Sequence, residues 1–483
     1  MEADRAGAAM SGWGALRRPS LPAAAAVLLV CVPQDRDDLS VAVDVTPADV
    51  ASVVLVAVAA AALLSGGRRL PGRALVAAAP VIAVGAATVA SQDVMASLPG
   101  LARYLQVFVL VPLAVAAVLR DRADLWLVGG AVCGAALVQG GVGTWQSLTG
   151  TGASYAGENV RAVGTFGATD VMGMATIVGY GLVVTLALAL TLRGRARAAA
   201  LATAALLVVP LVLSLSRGTW LAVLCAAAVM LVLYGLRPAG RVLLFAAAAA
   251  VLLLPAVPDS DPGTIGRRLS SIGSSLTQPD RSVSDRYDLW ETATGIWRDS
   301  PVTGVGPKGF AAARDSRAPL GLSSGSDTAD PVRGFQRQPL LSPHNMYLLV
   351  LSEQGLVGIT AFCLLFGCVA VWSVRRVRRA GTRGERTAGL AVTGFLTWQL
   401  VDFAYSDIGG PPTVVMSVLL GVALWWAITD VTAPPAAAGA PGPPAAAGTA
   451  DPPDTVDTAP LPVVAAPPPT SGPPLPPASG ERR

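Results

Sequence analysis

A single histidine occurs in the 483 residues, and its position makes it a candidate for proton transfer. His344 stands in SPHNMYLLVLSEQGLVG, where a long polar segment gives way to an apolar run. Imidazole is the one side chain that titrates near neutral pH without help from its surroundings. A lone histidine is also compatible with a purely structural role, but Pro343 and Asn345 beside it, with Glu353 and Gly355 further on, favour function. Arg217 in SLSRGTW, between two apolar runs, is the second candidate. A guanidinium there faces a polar cavity, a headgroup or an anionic partner, or else snorkels to outer-leaflet phosphates from a plain hairpin. The third feature is SDRYDLWETATGIWRDSPVTGVGPKGF. Trp290 and Trp297 fall two helical turns apart, with Leu289, Ala293 and Ile296 on a compatible stripe, which predicts an amphipathic helix lying on the outer interface. Ser284 or Asp285 would cap it and Arg286 would stand near its start, either in the site or as a solvated partner of Asp288 or Glu291. Finally, Arg161 lies in ENVRAVGTFGATDVMGMA, whose glycines suggest a bend or a close helix approach before Asp170.

The elements that carry these residues belong to a membrane. The chain is 53% hydrophobic and only 14% charged, with a mean hydropathy of +0.57. That excludes a soluble enzyme, a nucleic-acid binder and a collagen-like or wholly disordered chain. The expected fold class is all-α, a polytopic bundle of about twelve transmembrane helices near residues 20–33, 48–65, 74–91, 101–118, 125–145, 170–191, 198–215, 218–236, 241–257, 346–373, 387–404 and 411–429. The first is short and follows Arg17 and Arg18, so a signal peptide is an alternative reading.

With the N-terminus inside, sixteen arginines fall in cytoplasmic loops, whereas Arg36, Arg103, Arg161 and Arg217 make four in short outside loops. This asymmetry places both termini in the cytoplasm. Residues 1–257 then form an N-terminal membrane bundle, 258–343 an extracytoplasmic loop large enough to build a site, and 344–430 a C-terminal membrane segment. Residues 431–483, rich in Pro and Ala, read as a disordered cytoplasmic tail, with a proline-recognising partner as a further possibility. No phosphate-binding glycine loop, HExxH or paired-cysteine spacing occurs, so neither a metal nor a cofactor is implied. The five cysteines lie in apolar segments and suggest no disulfide framework.

Together the motifs resemble the superfamily of O-antigen ligases and O-antigen polymerases. His344 and Asn345 with Gly355 and Gly358 fit its His-Asn…Gly-x-x-Gly pattern. Ser216, Arg217 and Gly218 fit its SRG motif, and Arg286 and Trp290 with Pro301, Gly304 and Gly306 fit its R-x-x-x-W and P-x-x-G-x-G run. Arg161, Gly164 and Phe166 fit an Arg-x-x-Gly-x-Phe element. Asp170 stands where relatives often carry Asn. The resemblance runs from about Arg161 to about Asp430. It implies a cell-envelope glycosyltransferase that moves a glycan from an undecaprenyl-diphosphate carrier to an acceptor hydroxyl on the outer face, inverting and without metal.

In that chemistry Arg217 and Arg286, with Arg161, would clamp the diphosphate, and His344 would act as general base. Asn345, Trp290 and Glu353 complete the expected substrate-binding set. Two other classes compete. A secondary transporter or flippase would place ionisable groups near the midplane and show related halves, whereas here they collect on one side. A non-catalytic scaffold of a polysaccharide-export complex would leave His344 and Arg217 dispensable.

Overall fold

A computed structural model describes residues 18–33, 45–66, 69–155, 161–235, 281–318, 325–330 and 334–429. The expected span at 241–257 and the tail at 431–483 lie outside the described residues.

Helices α1 (Leu21–Leu29), α2 (Pro47–Leu64), α3 (Gly72–Val89), α4 (Val94–Val118) and α5 (Arg122–Thr149) precede the motif region. After it come α6 (Gly173–Thr191), α7 (Gly194–Leu213) and α8 (Arg217–Tyr234), then α9 (Arg281–Asp299) and the short α10 (Gly309–Arg314). The last three are α11 (Met346–Arg378), α12 (Arg383–Asp402) and α13 (Pro412–Ile428). Eight of these, α2 to α8 and α11, are long and apolar enough to cross a membrane, and α13 is a shorter apolar helix. The protein is therefore a multi-pass membrane protein.

Local chemistry sets the helix ends. Thr46 with Asp49, Asp121 with Asp124, and Thr382 with Glu385 form reciprocal capping boxes that open α2, α5 and α12, each satisfying amide groups that have no partner within the helix. Helix α5 stops at Gly150, whose φ of 70° suits a residue without Cβ. At the centre, α6 and α13 are buried on nearly every side, and α7 and α8 flank them with mostly exposed apolar faces suited to lipid.

Three expectations change. Helix α1 has 9 residues and rises only about 14 Å, under half the hydrocarbon thickness. It is nevertheless built into the bundle, with Ala23, Ala26 and Val27 buried and Ser20 donating to Asp124 Oδ1 at 2.6 Å. Arg103, expected in a loop, lies inside α4 and pairs with Asp49 of α2 at 2.6 Å, which neutralises a carboxylate that would be costly alone in a span. Beside the helices stands a small antiparallel sheet, β1 (Ser154–Tyr155), β2 (Gly325–Asp330) and β3 (Gly334–Pro339), with Ser154 facing Ala329 and Thr328 facing Gln336.

The helix directions define two ends. The N-termini of α5 and α12 and the C-terminus of α11 meet at an arginine-rich end, where Arg122 pairs with Glu385 at 2.9 Å. The N-termini of α8 and α11 and the C-terminus of α12 meet at the other end, where the motif residues gather.

Candidate active site

The turn between α12 and α13, Phe403 to Pro411, is the hub of this end. Helix α11 begins against it. The Met346 amide donates to the carbonyls of Phe403 and Ser406 at 2.8 and 3.0 Å. Asn345 caps the helix through Oδ1, which accepts from the Leu348 amide at 3.1 Å, and donates Nδ2 to the Ala404 carbonyl at 3.2 Å. Arg286 of α9 donates Nη1 to the Tyr405 carbonyl at 3.0 Å. Gly218, next to Arg217, packs against the Tyr405 ring so closely that a Cβ would come within 3.2 Å of it. Asp170 reaches the same turn from below, with its Oδ2 where a Cβ on Gly410 would fall, 2.2 Å away.

His344 lies on the edge of this hub. Its φ of 48° is left-handed, a conformation that costs a non-glycine residue roughly 1–2 kcal/mol. The imidazole keeps 44% of its surface open and turns Nδ1 toward Asp407 Oδ2 at 3.8 Å, while Asp407 itself is 8% exposed. At that separation the contact is electrostatic and not a hydrogen bond. Ser342 donates its hydroxyl to Asp407 and accepts from the His344 amide at 3.3 Å. Although one side of the ring is open, desolvation by the packed turn around it holds the imidazole below its ordinary range, with the Asp407 carboxylate pulling it up and the Arg286 guanidinium pushing it down. The ring is thus biased toward its neutral form, able to accept a proton.

The three non-glycine residues with positive φ among the described residues are Leu215, Lys308 and His344. One precedes the SRG motif, one sits in the GVGPKGF run and one is the histidine. Strain of this kind persists where the surroundings over-determine it, a pattern common at functional sites.

Residues 201–363 match the family described as O-antigen ligase. That stretch is about a third of the chain. No curated protein matches the chain. The matched stretch holds Arg217, Arg286, Trp290, His344, Asn345 and Glu353, while Arg161 and the Asp407 turn lie on either side of it.

The expected site residues divide into groups. His344, Asn345, Arg286 and Trp290 converge: the Trp290 indole donates to the Pro343 carbonyl at 3.0 Å and so braces the histidine turn. Arg217 adjoins them through Gly218. Arg161 occupies a neighbouring turn, where its amide bonds to Ala153 and the next amide, of Ala162, bonds to Leu213 at the end of α7. Glu353 lies apart from the histidine, 3% exposed, accepting from the Tyr104 hydroxyl at 3.3 Å and from the Phe310 amide at 3.4 Å.

Helix α9 also differs from expectation. It begins at Arg281, so Ser284 and Asp285 lie inside it. Its apolar stripe of Leu289, Ala293 and Ile296 is fully buried against α11 and α10, so protein covers the face expected to meet lipid. Arg286 is anchored on the hub through its bond to the Tyr405 carbonyl.

Two glutamines that carried no motif signal hold the Arg161 turn. Gln146 accepts from the Val163 and Gly164 amides at 3.1 and 2.8 Å and donates to the Gly164 carbonyl at 2.8 Å. Gln139 accepts from the Thr165 amide at 2.9 Å and donates to its hydroxyl at 2.7 Å. Gln146→Ala leaves three backbone groups without these partners and is expected to lower stability by about 2 kcal/mol. The midpoint of thermal unfolding in detergent measures this, and an unchanged midpoint would show that the turn stands without the amide.

Proposed function

We propose that the protein transfers a glycan from a polyprenyl-diphosphate donor to an acceptor hydroxyl at the outer face of the membrane, as a ligase or polymerase of surface polysaccharide. The observation that carries this reading is the convergence on one turn of a neutral-biased histidine and an anchored arginine, with Arg217 alongside. In the proposed step the acceptor oxygen attacks the anomeric carbon while its proton passes to His344 Nε2. The C–O bond to the diphosphate breaks and the electron pair leaves with it, inverting the anomeric centre. Asp407 faces Nδ1, so it orients the ring and stabilises the imidazolium that forms. Arg217, Arg286 and Arg161 bind the departing diphosphate, whose developing charge fixed guanidinium groups offset without reorganisation. The positive-inside asymmetry supports a cytoplasmic location for both termini and for the arginine-rich end.

Complementation of a deletion strain tests the reading. Wild type restores the surface glycan, whereas Arg286→Ala at equal membrane abundance is expected to lose it and to accumulate polyprenyl-diphosphate glycan. Accumulation of single repeat units marks a polymerase, and of finished chains a ligase. Full restoration by Arg286→Ala removes the diphosphate-clamp assignment.

A further inference from the structure

At the opposite end, a groove opens toward the membrane between α5 and α12. Both helices pack on α6 yet scarcely touch each other, so α6 and α13 form the floor of an open groove. Its walls are apolar, with Val128, Val184, Leu188, Ala388 and Leu419 prominent among them. From Gly384 to Phe395 the groove rises about 16 Å along α12, close to half of a hydrocarbon core about 30 Å thick. It then closes: Tyr180 stacks edge-on against Phe395 and Trp398 and donates to Gln399 Oε1 at 2.6 Å. The occupant is therefore confined to one leaflet.

The mouth is positively charged. Arg122 lies across it, its Nη1 over the Gly384 backbone and its Nη2 paired with Glu385. Arg120, Arg193 and Arg383 are exposed at the same end. The acids there are already engaged, Glu385 by Arg122 and Asp121 by Arg18 at 2.9 Å. Trp126, 49% exposed on the groove's rim, stands where an interfacial aromatic residue belongs.

We propose that this groove binds one anionic phospholipid of the leaflet at the arginine-rich end, with an acyl chain between α5 and α12 and the headgroup phosphate at Arg122. The one-leaflet depth and the aromatic plug suit an acyl chain better than a long polyprenyl chain, and the arginines select an anionic headgroup. The site lies away from His344, so its fate is independent of the transferase reading.

Native mass spectrometry of the full-length protein, delipidated and titrated with phosphatidylglycerol or phosphatidylcholine of matched chains, tests it. Wild type is expected to hold one phosphatidylglycerol at least about tenfold more tightly than phosphatidylcholine. Ala388→Phe fills the groove and removes that species, and Arg122→Gln binds the two lipids alike. Should Ala388→Phe fail to fold, Gly129→Leu replaces it, since a Cβ there meets only Val184 at 3.9 Å. Wild-type occupancy in the filled groove, equal affinity of wild type for both lipids, or one-for-one displacement by undecaprenyl phosphate at lower concentration would each overturn the proposal.

Discussion

His344→Ala is expected to lower glycan transfer by the purified protein by about 10²–10⁴-fold, the usual contribution of a positioned general base, while donor binding stays near wild type. The pH profile separates this from a structural role. In the proposed step the working form is the neutral imidazole, and desolvation with the Arg286 charge holds its pKa below 6.5 against the upward pull of Asp407. The rate kcat/KM should therefore be flat through neutrality and fall on the acid side, along a limb centred below pH 6.5. Asp407→Asn removes the one charge that raises the pKa, so the limb moves to still lower pH. The plateau meanwhile drops about tenfold, equivalent to about 1.4 kcal/mol of lost orientation. Arg286→Gln removes a charge that lowers the pKa and shifts the limb the opposite way. A histidine that merely shaped the turn would move neither limb, and a profile unaffected by both substitutions would end the general-base assignment.

Much of this arrangement is legible in the sequence because apolar runs and caps are local signals. The spans at 48–65, 125–145 and 346–373 are found within a few residues of α2, α5 and α11, and the capping boxes at Thr46, Asp121 and Thr382 are written in residue type and spacing. The hub is not legible in this way. Residues 403–411 follow no family motif and no periodicity, and their importance comes from backbone carbonyls that any residue provides. Asp402 at the end of α12, with Ser406 and Asp407 before the next helix, is the only signal. In the structure Ser406 bonds to Asp402, and the charges of Arg286, Asp407 and Asp170 all act on that buried carboxylate. The placement of α9 was ambiguous for a different reason: an amphipathic stripe states that its apolar face is covered, not whether protein or lipid covers it. Hydropathy likewise reads α11 as one continuous span, because a break whose backbone groups are satisfied by another segment leaves no trace in side-chain polarity.

That break supports the other large effect. At Gly355 the backbone leaves helical geometry, with φ 62° and ψ −157°, and the loop carrying Pro301, Gly304 and Gly306 enters the gap. The amides of Val305 and Gly306 donate to the carbonyls of Ser352 and Glu353 at 3.0 and 2.9 Å, and those of Leu356 and Val357 donate to Pro301 and Val302 at 2.9 and 3.2 Å. Four backbone groups of a broken span are thus satisfied by a segment from outside it, which a membrane requires of any interrupted helix. Both glycines at the contact are essential: a Cβ on Gly355 would fall 2.3 Å from the Val302 carbonyl carbon, and one on Gly304 the same distance from that of Glu353. Gly355→Ala adds left-handed strain to the loss of four hydrogen bonds, about 5 kcal/mol together, and its expected outcome is a straightened α11 with the loop undocked. The chain's single lysine, Lys308, lies in that loop, so a lysine-specific protease makes one diagnostic cut. Cleavage should accelerate by several thousandfold in Gly355→Ala, following the population of the open loop, with helical content preserved and transfer lost because α9 and Arg286 are carried by the same segment. Wild-type cleavage rates in Gly355→Ala would show that the loop is held by contacts other than the broken helix.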